Sequence, residues 1–121
     1  MQEVSEYKIN GAEIKRAKNG LLILVFSSKT ISDAQLNELK EIKEDFFLVF
    51  YGCNLSRSNI DVLICLGVME IGIFHSSFCD ADFIVLVQSK NLRYVKLHDT
   101  SVALACVEEI KRLRLDLKVF F

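Results

Sequence analysis

Proline is absent from the 121 residues, so no fixed-φ ring breaks a helix or removes a donor from a sheet. Any C-x-x-C pair is absent too: Cys53, Cys65, Cys79 and Cys106 lie 12, 14 and 27 residues apart. That spacing argues against zinc ligation and disulfides. The apolar neighbours of the cysteines point to free, buried thiols in a reducing compartment. No apolar run exceeds six residues, whereas a membrane-spanning helix needs about 20. The opening "MQEVSEYKIN" lacks the basic and apolar regions of a secretory signal. The expected location is therefore the cytoplasm.

An excess of one charge is lacking as well. The net charge is −1, which gives no long-range attraction to nucleic acid or anionic lipid. The basic cluster Lys111, Arg112 and Arg114, with Lys118 nearby, is interleaved with acidic residues and reads as a solvated helix face. Gly67 and Gly72 do not make a G-x-G-x-x-G fingerprint, and no phosphate loop is present. The histidines and acids show no metal-ligand spacing. No cofactor is expected.

What is present is a period. "LLILVFSSKTISDAQLNEL" starts at Leu21, "DFFLVFYGCNLSRSNIDVL" at Asp45, "VMEIGIFHSSFCDADFIVL" at Val68 and "LRYVKLHDTSVALACVEEI" at Leu92. These starts are 24, 23 and 24 residues apart, and "DLKVFF" from Asp116 begins a fifth copy. The aligned columns are apolar throughout. They hold Leu24, Leu48, Ile71, Val95 and Val119, then Phe26, Phe50, Ile73, Leu97 and Phe121. After the turn come Ile31, Leu55, Phe78 and Val102, then Leu36, Ile60, Phe83 and Val107, then Leu39, Leu63, Leu86 and Ile110.

Alternation at Leu48 and Phe50 is strand-like, and the three-residue step from Ile60 to Leu63 is helical. Ser32 and Ser56 offer helix caps, with Asp80 the candidate in the third unit. Each unit therefore reads strand, turn, short helix, return. One unit cannot bury its own apolar face, and stacking sets a parallel sheet on one side and helices on the other.

These residues resemble the leucine-rich repeat, Leu-x-x-Leu-x-Leu-x-x-(Asn/Cys)-x-Leu. In the second unit Leu48, Phe50, Cys53 and Leu55 match, with Asp45 replacing the first Leu. In the fourth, Leu92, Val95, Leu97, Thr100 and Val102 match as a Thr-bearing variant. The resemblance spans residues 20 to 121 and implies an α/β fold, a short right-handed solenoid that binds through a concave sheet. Lys29 in the Asn/Cys column points to an irregular first unit. The whole chain, 1–121, reads as one domain. It has an N-terminal cap over 1–19 and four strand-helix repeats plus a terminal strand over 20–121. The cap is either a hairpin turning at Asn10-Gly11 or a short helix over Ala12 to Lys18. The strand edge at "KVFF" offers a route to a homodimer.

Strand residues that face away from the helices form an open surface. They are Ile23, Val25 and Ser27, then Phe47, Val49 and Tyr51, then Glu70, Gly72 and Phe74, then Tyr94, Lys96 and His98. Lys118 and Phe120 continue the surface. Phe47, Val49, Tyr51, Glu70, Phe74, Tyr94, Lys96 and His98 are the candidate partner-binding residues, because dense aromatics typify interface anchors. Ser28, Gly52, His75 and Asp99 form a rim at matching positions. The expected function is non-catalytic binding of a protein partner, as an inhibitor or a toxin-neutralising immunity protein. Two alternatives stand beside it. One is a regulatory domain resembling anti-sigma-factor antagonist (STAS) domains, a single mixed sheet with helices that opens on a hairpin, with Ser56 or Ser58 as a phospho-switch. All-parallel pairing at 24-residue offsets would favour the solenoid instead. The other is a hydrolase using His75 and Asp99, with His98 and Ser76 close by. Cys53, in the turn column with Ser76 and Thr100, reads as a structural hydrogen-bonding residue and not as a nucleophile.

Overall fold

Period-two alternation in the short apolar runs produces six strands, and the i, i+3 runs after each turn produce helices. The computed structural model describes residues 7–121. In chain order it contains β1 (Ala12–Arg16), β2 (Leu22–Phe26), α1 (Asp33–Asn37), a 3-10 turn (Glu38–Glu41) and β3 (Phe46–Tyr51). Then follow α2 (Arg57–Leu66), β4 (Glu70–Phe74), α3 (Asp80–Leu86), β5 (Tyr94–His98), α4 (Leu104–Leu113) and β6 (Lys118–Phe120). The protein is α/β: one sheet in the order β1-β2-β3-β4-β5-β6, mostly parallel, with four helices. No helix among the described residues is long and apolar enough to cross a membrane.

From β2 to β6 every neighbouring pair is parallel and in one-to-one register. Leu24 lies opposite Leu48, Leu48 opposite Ile71, Ile71 opposite Val95 and Val95 opposite Val119. That row and the Phe26, Phe50, Ile73 and Leu97 row are buried, and they join one core with Leu36, Ile60, Leu63, Phe83, Leu86, Val107 and Ile110 from the helices. Burying each such side chain contributes about 1.5–3 kcal/mol. Ile31, Leu55, Phe78 and Val102 close the core at the turns. Phe121 departs from its column: it lies beyond β6, and 58% of its surface is exposed.

The cap is a hairpin, not a helix over 12–18, but it turns elsewhere than expected. β1 pairs antiparallel with β2, and the reversal is closed by Ala17 N–H to Leu21 O and Gly20 N–H to Ala17 O. Asn19-Gly20 sits in that turn, whereas Asn10-Gly11 makes a separate turn into β1. The latter is held to α1: Gln35 Nε2 donates to Asn10 O, and Glu38 accepts from Asn10 N–H. Arg16 spans to Glu44, which also accepts from Tyr7, so the hairpin is tied to the approach to β3. The first six residues, including most of the segment read for a signal, lie outside the described residues.

Helix starts follow the sequence in two units and depart from it in the third. Ser32 and Ser56 are N-caps with reciprocal capping boxes to Gln35 and Asn59. In α3 the cap position belongs to Cys79, not Asp80. Asp80 instead reaches forward and accepts from Ala103 N–H, 2.7 Å away, at the start of α4. The first helical segment is the shortest, five residues of α-helix passing into the 3-10 turn. Arg114 does not lie on a solvated face. Its guanidinium donates to the carbonyls of Val87, Ser89 and Leu92, which satisfies the exit of α3. Lys118 lies on β6, as its place in the open-surface column implies.

Asn59 is the buried polar link between the first two helical layers. Its Nδ2 donates to Ile31 O at 3.0 Å and to Asp33 Oδ1 at 2.7 Å, while its Oδ1 accepts from Ser56 N–H. Asn59→Ala strips a buried carbonyl of its donor and opens the capping box, so urea unfolding should show a loss of about 2 kcal/mol. A loss below about 0.5 kcal/mol would remove this link from the stability argument.

Glu44 gives a second check. The Arg16 hydrogen bond holds its carboxyl below the usual 4.5. A depressed folded-state pKa contributes stability that is present above the unfolded value and lost as pH falls through the folded one. The stability difference between the native chain and Glu44→Gln should therefore shrink between about pH 6 and about pH 3. A difference that does not change with pH would contradict the pair.

Candidate functional site

The register that buries one set of strand residues places the alternate set on the other face of the sheet. One row there runs Lys15, Ile23, Phe47, Glu70, Tyr94, Lys118, and the next Glu13, Val25, Val49, Gly72, Lys96, Phe120. A third joins Tyr51, Phe74 and His98. All eight candidate binding residues share this face. Lys96, His98 and Tyr51 are exposed and the other five half-buried.

The half-burial comes from the residues packing on one another. The rings of Phe47 and Tyr94 meet edge to face at 5.9 Å across the intervening β4, and Tyr94 lies 5.1 Å from Phe120. Gly72 makes the crossing feasible. A Cβ at that position would come within 2.8 Å of the Phe74 ring and 3.1 Å of the Phe47 ring, so these rings lie on bare backbone. Tyr51 remains 51% exposed and Phe120 49%.

At the C-terminal ends of the strands, Gly52, His75 and Asp99 occupy equivalent turn positions, and all three have left-handed backbone, φ 68°, 50° and 57°. Glycine adopts this at no steric cost, whereas an L-residue loses about 1–2 kcal/mol. His75 Nδ1 donates to Asp99 Oδ2 at 2.7 Å. The His75 ring packs against Tyr51 at 5.0 Å and His98 at 5.4 Å, both edge to face. The expected proximity of His75 and Asp99 is thus a direct contact. Their side chains are substantially exposed, 41% and 70%, so the pair adds little stability.

As chemistry, the pair is an imidazole oriented by a carboxylate. The hydroxyl next in sequence, Ser76, is buried and already engaged, donating to Phe74 O and accepting from Cys53 N–H. The hollow beside Asp99 is a notch of about 90 Å³ between Leu97, His98, Thr100 and Phe121. Among the described residues, no group of three or more His, Cys, Asp or Glu is placed to hold a metal ion.

Cys53 behaves as its column implies. Its thiol donates to Phe26 O at 3.3 Å, and its N–H donates to Ser76 Oγ at 3.0 Å, so the turn residue ties its unit to the neighbours on both sides. Thr100 serves its own turn, accepting from Val102 N–H at 3.4 Å. The expectation of four buried thiols holds for Cys53 alone. Cys65 and Cys79 are exposed and Cys106 is intermediate, because a helix surface or cap position exposes a side chain whatever its sequence neighbours.

No protein-family model matches this chain, and no curated protein matches it.

Burial pushes the Cys53 thiol above its usual pKa and so disfavours the reactive thiolate. With limiting iodoacetamide on the folded chain, Cys65 and Cys79 should be labelled first and Cys53 only on unfolding, as read by peptide mass spectrometry. Labelling of Cys53 as fast as Cys65 would reopen a nucleophilic role.

Proposed function

We propose that the chain is a short leucine-rich-repeat-like solenoid that binds a protein partner through its open sheet face and performs no chemistry of its own. The observation that carries this reading is the aromatic strip on the uncovered face: Phe47, Tyr94 and Phe120 in ring contact, with Tyr51 and Phe74 beside them. Large rings left half in water represent unrealised burial, which a partner completes. The repeat reading draws support from strand pairs that follow chain order at offsets of 24, 23, 24 and 24 residues, as in Leu24, Leu48, Ile71, Val95 and Val119. A regulatory domain of the anti-sigma-factor antagonist type calls for one mixed sheet that opens on a hairpin, and the antiparallel β1–β2 pair fits that alternative. The parallel pairing at 23- to 24-residue offsets from β2 to β6 favours the repeat reading.

The chain acts by occupying that partner, as an inhibitor or a toxin-neutralising immunity protein does. The His75 and Asp99 rim serves this reading as a hydrogen-bonding border. It adds polar specificity around an apolar centre, the usual anatomy of an interface. Pairing of two copies along β6 is the secondary mode of association, and Lys118 on that strand opposes close edge-to-edge contact.

Tyr51→Ala combined with Phe74→Ala removes two rings that the core does not need. The thermal midpoint should hold, while affinity for a partner captured by the native chain and repurified should fall at least about tenfold. Unchanged affinity in a folded variant would overturn the face assignment.

A further inference from the structure

On β5 and β6 the open face forms a small checkerboard. Tyr94 lies opposite Lys118, and Lys96 lies opposite Phe120. The two rings hold one diagonal, 5.1 Å apart, and the two lysines hold the other. Both lysines are exposed, and neither has an ion-pair partner among the described residues. The nearby acids are accounted for: Asp99 is engaged by His75, and Asp116 by Arg93 and Arg114. Among the described side chains, Glu70 is the carboxylate on the neighbouring strand, on β4 opposite Tyr94.

We propose that this corner selects an acidic protein segment, one that lays an apolar side chain over the Tyr94 and Phe120 rings and sets carboxylates on either side toward Lys96 and Lys118. The inference rests on the open face being a binding surface and adds the chemistry of its occupant. Charge supports it. The two long rows of the face carry Lys15, Lys96 and Lys118 against Glu13 and Glu70, a balance of +1 on a chain of net −1. Glu13 and Lys15 offset one another on β1, so the unbalanced cations lie at β5 and β6. Glu70 repels an acidic run that extends toward β4, which confines the carboxylates to the outer two strands and orients the segment.

Area sets the size of the occupant. Six strands about 4.8 Å apart and five residues long present roughly 400 Å². A folded protein docking flat needs about 800 Å² on each side. The face by itself therefore fits a single segment, whose affinity and selectivity come from a few rings and charges.

The test is a selection from a random library of peptides of about 12 residues, long enough to cross the six strands. It is run on the full chain and, in parallel, on Tyr94→Ala/Phe120→Ala and Lys96→Glu/Lys118→Glu, each checked for fold by circular dichroism. The expected result is a set of binders lost on the ring variant, enriched in Asp and Glu beside apolar residues, and weakened about tenfold or more on the lysine variant. Ring-dependent binders with no acidic enrichment, or with unchanged affinity for the lysine variant, would overturn the charge selection while leaving the face as a binding surface. Binders that all survive loss of the rings would overturn the corner as the site, and binders that also survive Tyr51→Ala/Phe74→Ala would overturn the face as a binding surface.

Discussion

Everything in this protein depends on one constraint, the in-register parallel pairing of β2 through β6. Side chains alternate across a strand with a period of two, so a slip of one residue exchanges the two faces of the sheet. In the observed register Leu48 meets Leu24 and Ile71, and the core closes over the helices. The same register places Phe47, Glu70 and Tyr94 side by side on the opposite face. Core and surface are therefore two consequences of one alignment. Apolar burial holds it in place, because a slip would put the Leu24 and Phe26 rows in water and would bring Glu70 and Lys96 into the core.

Hydrogen bonds between neighbouring units guard that alignment where side-chain packing does not reach. Cys53 joins Phe26 and Ser76, Asn59 reaches back to Ile31, Asp80 reaches forward to Ala103, and Arg114 gathers three carbonyls after α3. Each bond joins residues about 22 to 28 positions apart in sequence, close to one repeat. They supply the polar satisfaction that buried turns require. The residue types differ from unit to unit because several chemistries can fill the same backbone vacancy: a thiol, an amide, a carboxylate or a guanidinium.

Legibility from sequence follows this division. The apolar columns were readable because burial demands the same property at every repeat, and nearly every named core position is buried. The eight face residues followed automatically from alternation. The turn of the hairpin is not legible in the sequence, because the chain holds two Asn-Gly pairs, Asn10-Gly11 and Asn19-Gly20, and local turn chemistry does not rank them. Pairing with β2 decides in favour of the second. The structural role of Arg114 is not legible in the sequence: besides Asp116 two residues on, its guanidinium holds three main-chain carbonyls, which leave no mark there. Asp80 looks like the cap of its own helix in sequence, whereas its carboxylate serves the next one. The column puts Phe121 in the core, but β6 ends one residue earlier and the ring stays largely exposed.

The turn column and the aromatic strip carry a common implication. At Gly52 the left-handed turn uses the residue that adopts it most readily, yet the same position in the next two units holds His75 and Asp99. Histidine and aspartate are among the residue types that tolerate this conformation, but they still lose stability relative to a residue without Cβ. Their mutual contact is exposed to solvent and recovers little of that loss. The strip is costly in the same sense, since rings that the core does not need are held at the surface over Gly72. Both features occupy the open side of the sheet, and Tyr51 joins them by packing on His75. Local departures from the most stable choice thus gather on one face, which sets it apart from the rest of the fold. The helical side shows the opposite pattern, with its buried columns uniformly apolar and its buried polar groups bonded. It supports the face that the other side presents.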